Sequence, residues 1–256
     1  MPRTLERIAK IQLRPPARAC YGRVSLALSD DDRMFEGSVR HYLECGASAL
    51  TVLHAAATLA GLRTPRAILD FGAGAGRVTR WLRAHWPEAR IAAADLRAQD
   101  LDFCAAEFGA TTWLAGTDIA ALKAPERYDL VWAGSVLTHL PEPAAVALLS
   151  RMLSWCRPEG VVVASLHGRH VLGRGAEAGW YGVAEGWPGI LRDAAGPGAY
   201  GYADYPGQPG YGIAACRPAW VAAQVEAMAG ARLVLFGERL WDGHHDVVAL
   251  QRQAAG

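Results

Sequence analysis

Asp70-Phe71-Gly72-Ala73-Gly74-Ala75-Gly76-Arg77 places three glycines at alternate positions between a short apolar run, Ala67-Ile68-Leu69, and a stretch with Val78, Trp81, Leu82 and His85 at helical spacing. A strand-to-helix junction built this way permits a tight turn and lets a ligand approach the backbone closely, because glycine carries no Cβ. A helix starting near Ala75 would turn its free N–H groups and positive dipole end toward such a ligand. Asp70, at the strand tip, is placed to hold a cationic or hydrogen-bonding group. The spacing differs from the dinucleotide pattern G-x-G-x-x-G, whose third glycine would fall at Arg77.

The same alternation continues outward. Arg90 to Ala94 reads as a second strand ending at Asp95, a helix follows over 98–108, Thr111 to Ala115 reads as a third strand and Tyr128 to Ala133 as a fourth. Pro143 suits the first turn of a helix whose buried face is Ala145, Leu148, Leu149 and Met152. Gly160 to Leu166 reads as a fifth strand, Pro218 to Met228 as a helix, and Arg232 to Phe236 and Asp246 to Leu250 as two closing strands. Apolar strands alternating with amphipathic helices imply an α/β, doubly wound, mostly parallel sheet covered on both faces. Ligands bind such sheets beyond the carboxyl ends of the strands.

Residues 1–62 read as an N-terminal arm followed by cap helices, with Asp30, Asp31 and Asp32 at a helix start and Gly46 dividing residues 30–62 into two helices. Residues 63–256 read as the main domain. Within it, residues 168–213 are rich in Gly, Pro and aromatics and break the rhythm; so long an irregular insertion suggests a lid or substrate-binding segment.

The 256 residues are 52% hydrophobic and 20% charged, with a formal net charge of +1. That is a globular composition with no global field to draw the chain to nucleic acid or an anionic membrane. No apolar stretch approaches the ~20 residues of a membrane span, and no signal-peptide core follows Arg3, Arg7 and Lys10. The five cysteines are scattered, without a C-x-x-C pair, which argues against a disulfide framework or zinc knuckle. A reducing, cytoplasmic setting is expected.

Asp95 lies about 20 residues beyond the glycine turn, the position of a ribose-binding carboxylate; capping the next helix is the other role open to it. With Asp70 and the D-x-G-x-G-x-G turn, this part of the chain resembles the class I, Rossmann-like S-adenosylmethionine-dependent methyltransferases. Tyr128-Asp129-Leu130-Val131 looks like that family's fourth-strand signature. Ser135-Val136-Leu137-Thr138-His139-Leu140 looks like the segment after it in a subgroup associated with small-molecule or sugar methylation. Arg157-Pro158-Glu159-Gly160 stands where the family usually has Lys-Pro-Gly-Gly, so Glu159 departs from it.

The resemblance implies a seven-stranded sheet whose last strand runs antiparallel. It assigns S-adenosyl-L-methionine as cofactor and S-adenosyl-L-homocysteine as product. The cofactor contacts would be Asp70, Phe71, Gly72, Ala73, Gly74, Gly76 and Arg77 around the turn, with Asp95 on ribose and Leu96 against adenine. Thr117, Asp118 and Ile119 would lie near the adenine amine, and Gly134, Ser135 and His139 would follow strand four. Asp118 as a simple helix cap is the competing role.

The implied topology brings His139, His167, His244, His245 and Asp246 to the ligand edge. Three readings are open for this group: a general base oriented by Asp246, a metal site holding a catechol-like or acidic acceptor, or residues that only satisfy backbone and cofactor hydrogen bonds. No local H-x-x-x-H spacing supports the second, and no metal is expected. His139, His167, His244 and Asp246 are the catalytic candidates; Tyr42, Trp180, Tyr181 and His245 are the substrate candidates, with Tyr42 alternatively a packing residue. The expected activity is in-line methyl transfer to an oxygen or nitrogen of a small-molecule, sugar or natural-product acceptor. A non-catalytic cofactor-binding partner subunit and an NAD(P)-dependent oxidoreductase are the alternatives; Arg77 argues against the latter. The sequence sets no oligomeric state.

Overall fold

The computed structural model describes residues 3–6, 8, 11–175 and 180–254. The chain runs β1 (Arg3–Thr4), α1 (Ala17–Cys20), β2 (Ala27–Leu28), α2 (Val39–Leu59), β3 (Ala67–Phe71), α3 (Thr79–His85), β4 (Arg90–Asp95), α4 (Ala98–Phe108) and β5 (Thr111–Leu114). It continues with β6 (Tyr128–Ala133), α5 (Glu142–Trp155), β7 (Cys156–His167), α6 (Arg169–Gly175), α7 (Trp187–Ala195), β8 (Tyr200–Tyr205), β9 (Gln208–Cys216), α8 (Pro218–Ala227), β10 (Ala231–Trp241) and β11 (His245–Arg252).

Seven strands form the main sheet in the order β10-β11-β7-β6-β3-β4-β5. β11 pairs antiparallel with both β10 and β7, and the remaining pairs are parallel. This is the mostly parallel Rossmann-like sheet expected of the methyltransferase fold. Its two faces bury separate cores. Ile68, Trp132, Val163 and Val247 face α2, α3 and α4; Leu69, Val131, Val162 and Val248 face α5 and α8. The alternation along each strand sends neighbouring side chains to opposite faces. Among the described residues, no helix is long and apolar enough to cross a membrane.

Residues 39–59 form one helix, not two. Ser38 caps it by accepting the His41 N–H at 3.2 Å, so the acidic run at 30–32 lies before the helix start. Its end is a Schellman arrangement: Gly61 has φ +78°, its N–H donates to Thr58 O, and the Leu62 N–H donates to Ala57 O at 2.8 Å. Gly46 sits mid-helix for packing. A Cβ there would lie 2.4 Å from Arg77 O and 2.5 Å from the Trp81 ring.

The insertion is also more ordered than its composition suggests. It contains α6, two single-turn 3-10 segments, α7 and the antiparallel hairpin β8–β9. It has its own small core of Val171, Trp187, Ile190 and Ile213. Glycines that read as loop signals serve close contacts here. A Cβ on Gly201 would meet Ile190 O at 2.1 Å, and one on Gly175 would meet the Trp187 ring at 2.2 Å.

Candidate functional site

The three glycines of the turn adopt left-handed backbone angles, φ +78° at Gly72, +50° at Gly74 and +80° at Gly76. The turn occupies residues 72–78, so the regular helix starts at Thr79 and not near Ala75. Packing explains why two of the glycines tolerate no side chain. A Cβ on Gly72 would stand 2.5 Å from Val136 Cγ2, and one on Gly76 would stand 2.2 Å from the Phe108 ring. The turn after β3 is thus pressed between the loop after β6 and α4.

Two carboxylates hold the turn. Asp70 is buried and accepts the Thr79 hydroxyl at 2.6 Å; burial pushes its pKa up to about 7, with Thr79 and the more distant Arg77 partly opposing that rise and the Asp95 charge adding to it. Asp95 is half-buried and accepts from Gly74 N at 2.8 Å with Oδ2 and from Arg97 N at 3.2 Å with Oδ1. One carboxylate therefore ties the glycine turn to the loop that leads into α4, through the N–H of its N-cap residue. Each of its oxygens has a second lone pair available to a ligand hydroxyl.

Leu96 follows as one of the exposed large apolar side chains, at 57%. Residues 29–38 cross over this area as a strap. Asp31 accepts from Arg97 and Gln99, Asp32 accepts the Met34 N–H at 2.8 Å, and Met34 Cγ lies 3.7 Å from where a Gly74 Cβ would stand. Met34 and Leu96 thus provide apolar surface beside backbone that keeps left-handed glycines, a cradle suited to an adenosyl group. Met34 was not legible as a site residue, because its position depends on long-range pairing of Asp31 with Arg97.

Other expected cofactor residues are more varied. The Phe71 ring turns into the core, 5.8 Å from Trp113 and 5.6 Å from Trp155 between centroids, leaving only its backbone at the turn. Ala73 is buried, and its N–H donates to Ala94 O at 3.1 Å. The Arg77 guanidinium lies 5.9 Å from the Trp241 ring centroid. Thr117 and Asp118 are exposed and Ile119 is half-buried. Asp118 accepts the Ala120 N–H at 3.0 Å, closing a short turn; among the described residues no helix starts there for the capping role that the sequence also offered. Ser135 has φ +58° and donates its N–H to Ser165 Oγ at 2.7 Å. Gly134 gives way to Trp132, whose ring would lie 2.6 Å from an added Cβ.

Four histidines converge on the sheet's carboxyl edge from three segments. His139 follows β6 and its Nδ1 lies 2.9 Å from Gly212 O and 3.3 Å from the Tyr205 hydroxyl. The Gly212 carbonyl can only accept, so Nδ1 carries the proton and the lone pair of the neutral ring is on Nε2. Burial lowers its pKa, against the raising effect of the Gly212 carbonyl. His167, at the end of β7, stands directly opposite His245, at the start of β11. Its Nδ1 donates to Ala214 O at 3.1 Å, and burial with the neighbouring histidines lowers its pKa to about 3. Burial, then His167 and His244, also lowers that of His245. The His244 and His245 ring centroids are 4.1 Å apart.

Asp246 is placed differently from the expectation that it orients a histidine. Strand alternation turns it to the face opposite His245. It accepts the Arg239 N–H at 3.0 Å and packs so closely on Gly168 that an added Cβ would lie 1.7 Å from Oδ2. It braces the corner after β7. Tyr42 is buried too; its hydroxyl donates to Asp32 at 2.6 Å and accepts from Arg80 at 3.1 Å, which makes it a packing residue in this structure. The Tyr181 ring stands 4.9 Å from the His167 ring. The Trp180 side chain lies outside the described residues. Tyr211, 5.1 Å from the His139 ring, joins Tyr205 as an aromatic wall that the sequence offered only as part of an aromatic-rich stretch.

A cleft of about 1040 Å³ opens elsewhere, along the outer side of the Arg239–Gly243 turn and the α2 face bearing His41 and Thr51. It shares no lining residue with the glycine turn.

Residues 68–160 match the family profile described as a methyltransferase domain. A trans-aconitate 2-methyltransferase of Azoarcus sp. is 32% identical over 95 residues, covering 37% of this chain and 36% of that protein. A malonyl-[acyl-carrier protein] O-methyltransferase of Halalkalibacterium halodurans is 31% identical over 111 residues, covering 41% and 40%. The chain thus matches about two fifths or less of the length of these relatives.

The fold likeness is broader. The 1,6-didemethyltoxoflavin-N1-methyltransferase of Burkholderia thailandensis, solved with 1,6-didemethyltoxoflavin and S-adenosylhomocysteine, superposes with a TM-score of 0.57 at 18% identity, over 83% of this chain and 80% of that one. An S-adenosylmethionine-dependent methyltransferase from Clostridium acetobutylicum gives 0.57 at 12% identity, over 87% and 96%. Residues 68–160 thus match a methyltransferase-domain profile, and the sheet around them has the Rossmann-like fold of the class I S-adenosylmethionine-dependent methyltransferases.

Proposed function

We propose that the chain is a methyltransferase that uses S-adenosylmethionine to methylate an oxygen or nitrogen of a small-molecule acceptor. The observation that carries this reading is the bond from Gly74 N to Asp95 Oδ2, which ties the glycine turn and the strand-end acid into one cradle. When bound, S-adenosylmethionine supplies an electrophilic methyl group for in-line displacement.

The protein's own part is placement and proton handling. Asp95 keeps lone pairs for the ribose hydroxyls, and the backbone around Gly72 and Gly74 stays open to close approach. Asp70 and Thr79 fix the strand tip. Leu96 and Met34 provide apolar cover. His139, protonated on Nδ1 and held neutral by burial, presents an Nε2 lone pair to an acceptor O–H or N–H. Tyr205 and Tyr211 wall the same position, which suits a ring-bearing acceptor.

The two curated relatives above are named for trans-aconitate and malonyl-[acyl-carrier protein]. A carboxylate acceptor needs no proton removed, whereas a hydroxyl or amine does, so the acceptor class decides whether His139 acts as a base. The test is methyl transfer from methyl-labelled S-adenosylmethionine to two acceptor panels, carboxylic acids on one side and hydroxyl or amine compounds on the other. Label in an ester, ether or methylamine product supports the reading. Cofactor binding without transfer to either panel favours a non-catalytic partner subunit.

A further inference from the structure

Within the site proposed above, three imidazoles come together, two of them, His167 and His245, buried with a ring nitrogen that has no hydrogen-bond partner. His167 and His245 form a directly opposed pair on antiparallel strands and share one sheet face. The turn between β10 and β11, with φ +51° at Asp242 and +69° at Gly243, folds His244 over the same spot. One ligand nitrogen from each of the three lies within 4.8 Å of the others. Nitrogens sharing one ion at about 2.0–2.1 Å each stand closer than this, so small ring rotations close the set.

The hydrogen bonds around the rings have the arrangement that metal-ligating histidines require, in which one ring nitrogen is held by a carbonyl or carboxylate and the other is left to the metal. His167 donates Nδ1–H to Ala214 O at 3.1 Å, and its Nε2 is buried without a partner. His244 Nδ1 lies 2.9 Å from Asp242 O, which sets the tautomer with the lone pair on Nε2. His245 Nδ1 is buried without a partner. Four side-chain polar atoms are orphaned in this way among the described residues, and two of them belong to this one cluster. Leaving such atoms desolvated and unpaired is costly, and a bound cation removes the cost at both.

We propose that His167, His244 and His245 form a three-imidazole site for a first-row divalent transition-metal ion at the carboxyl edge of the sheet, beside the proposed acceptor position. The donor set is all nitrogen, which suits Zn²⁺, Fe²⁺, Co²⁺ or Ni²⁺ and not the oxygen-seeking Mg²⁺ or Ca²⁺. Three protein ligands leave at least one coordination position open. The Tyr181 ring stands against His167, and Trp241, whose ring lies 4.6 Å from that of His245, has the Arg77 guanidinium over it. The open position therefore serves an acceptor oxygen or nitrogen near the glycine turn. Ligand spacing along the chain gave no hint of this, because the ligands come from two strands and a turn.

The test is titration of the chelator-treated full chain with Co²⁺, read by visible absorption, with S-adenosylhomocysteine binding measured in parallel. The proposal predicts one equivalent of Co²⁺ with d–d bands of low-coordinate nitrogen ligation, displaced by Zn²⁺. His245→Gln and His167→Gln lower the affinity by at least a hundredfold, while His54→Ala, in the surface pair with His85, leaves it unchanged. Absence of a stoichiometric cobalt spectrum in the wild-type chain overturns the site, as does equal affinity in the His245→Gln variant. S-adenosylhomocysteine binding in the same samples reports separately on the cofactor cradle, so failure of one reading does not masquerade as failure of the other.

Discussion

The Gly74 N–H donates to the Asp95 carboxylate at 2.8 Å, joining the turn after the first parallel strand to the tip of its neighbour. The other Asp95 oxygen accepts the N–H of Arg97, the residue that caps α4. In the proposed reading, cofactor affinity and the entry to the next helix are coupled through this one side chain. Asp95→Asn keeps the shape but replaces one acceptor oxygen with a donor, so it weakens S-adenosylhomocysteine binding about as much as the alanine variant does. Isothermal titration of both variants checks this; an asparagine variant with full affinity would show that the carboxylate is not needed.

His139 separates acceptor classes. Positioned proton transfer contributes roughly 10²- to 10⁴-fold, so His139→Gln lowers kcat by about that range for a hydroxyl or amine acceptor and changes it little for a carboxylate. Because burial lowers the His139 pKa below the ordinary histidine value, the neutral, basic form is favoured at neutral pH. The wild-type rate then falls only on the acid side, below the ordinary histidine range. A pH–rate profile on each acceptor class gives the answer.

The buried histidines also make the fold acid-sensitive. His167 titrates at about 3 when folded against about 6.5 in an unfolded chain, and His245 is lowered as well. A depressed folded value means that the stabilisation is complete above the unfolded pKa and is lost as pH falls toward the folded one. The metal-free protein is expected to lose melting temperature between pH 6.5 and 4, with a shallower slope in His167→Gln. Thermal scans across that range measure it.

Tyr42 links the N-terminal strap to α2 and α3. Tyr42→Phe leaves Asp32 and Arg80 each short of a buried partner, which costs about 1–3 kcal/mol. The expected result is lower stability in urea with an unchanged acceptor KM. A raised KM at unchanged stability would instead return Tyr42 to the acceptor pocket.

Gly46→Ala runs against helix propensity. Alanine is favoured over glycine by about 1 kcal/mol in an exposed helix interior. Here its Cβ would meet the Arg77 carbonyl at 2.4 Å and the Trp81 ring at 2.5 Å, overpacking that costs about 1–3 kcal/mol. The net effect is destabilisation, and because Arg77 adjoins the glycine turn, cofactor affinity falls too. Urea unfolding and titration of this variant read the two effects separately.

Much of this architecture was legible because local signals agreed with the global fold. The glycine turn, the apolar strands and the Asp95 spacing all point to one parallel sheet, and the antiparallel last strand does bring His245 beside His167. The failures share a cause. Gly46, Gly175 and Gly201 look like breaks in the sequence, yet each makes room for a neighbour that only the tertiary fold supplies. From the sequence, Asp246 is expected to orient a histidine because the implied topology brings it to the same edge, but one step along a strand reverses the face. Met34 enters the cradle through the Asp31–Arg97 pairing, 66 residues apart in the chain, which no local pattern encodes.

The central claim is that the Gly74–Asp95 cradle holds the cofactor, and the most direct test is calorimetric titration with S-adenosylhomocysteine of the wild-type chain and of Asp95→Ala. The account predicts saturable one-site binding in the micromolar range, roughly −8 kcal/mol, weakened at least tenfold, about 1.4 kcal/mol, by the substitution. No binding to the wild-type chain, or equal affinity in a folded Asp95→Ala variant, would contradict it.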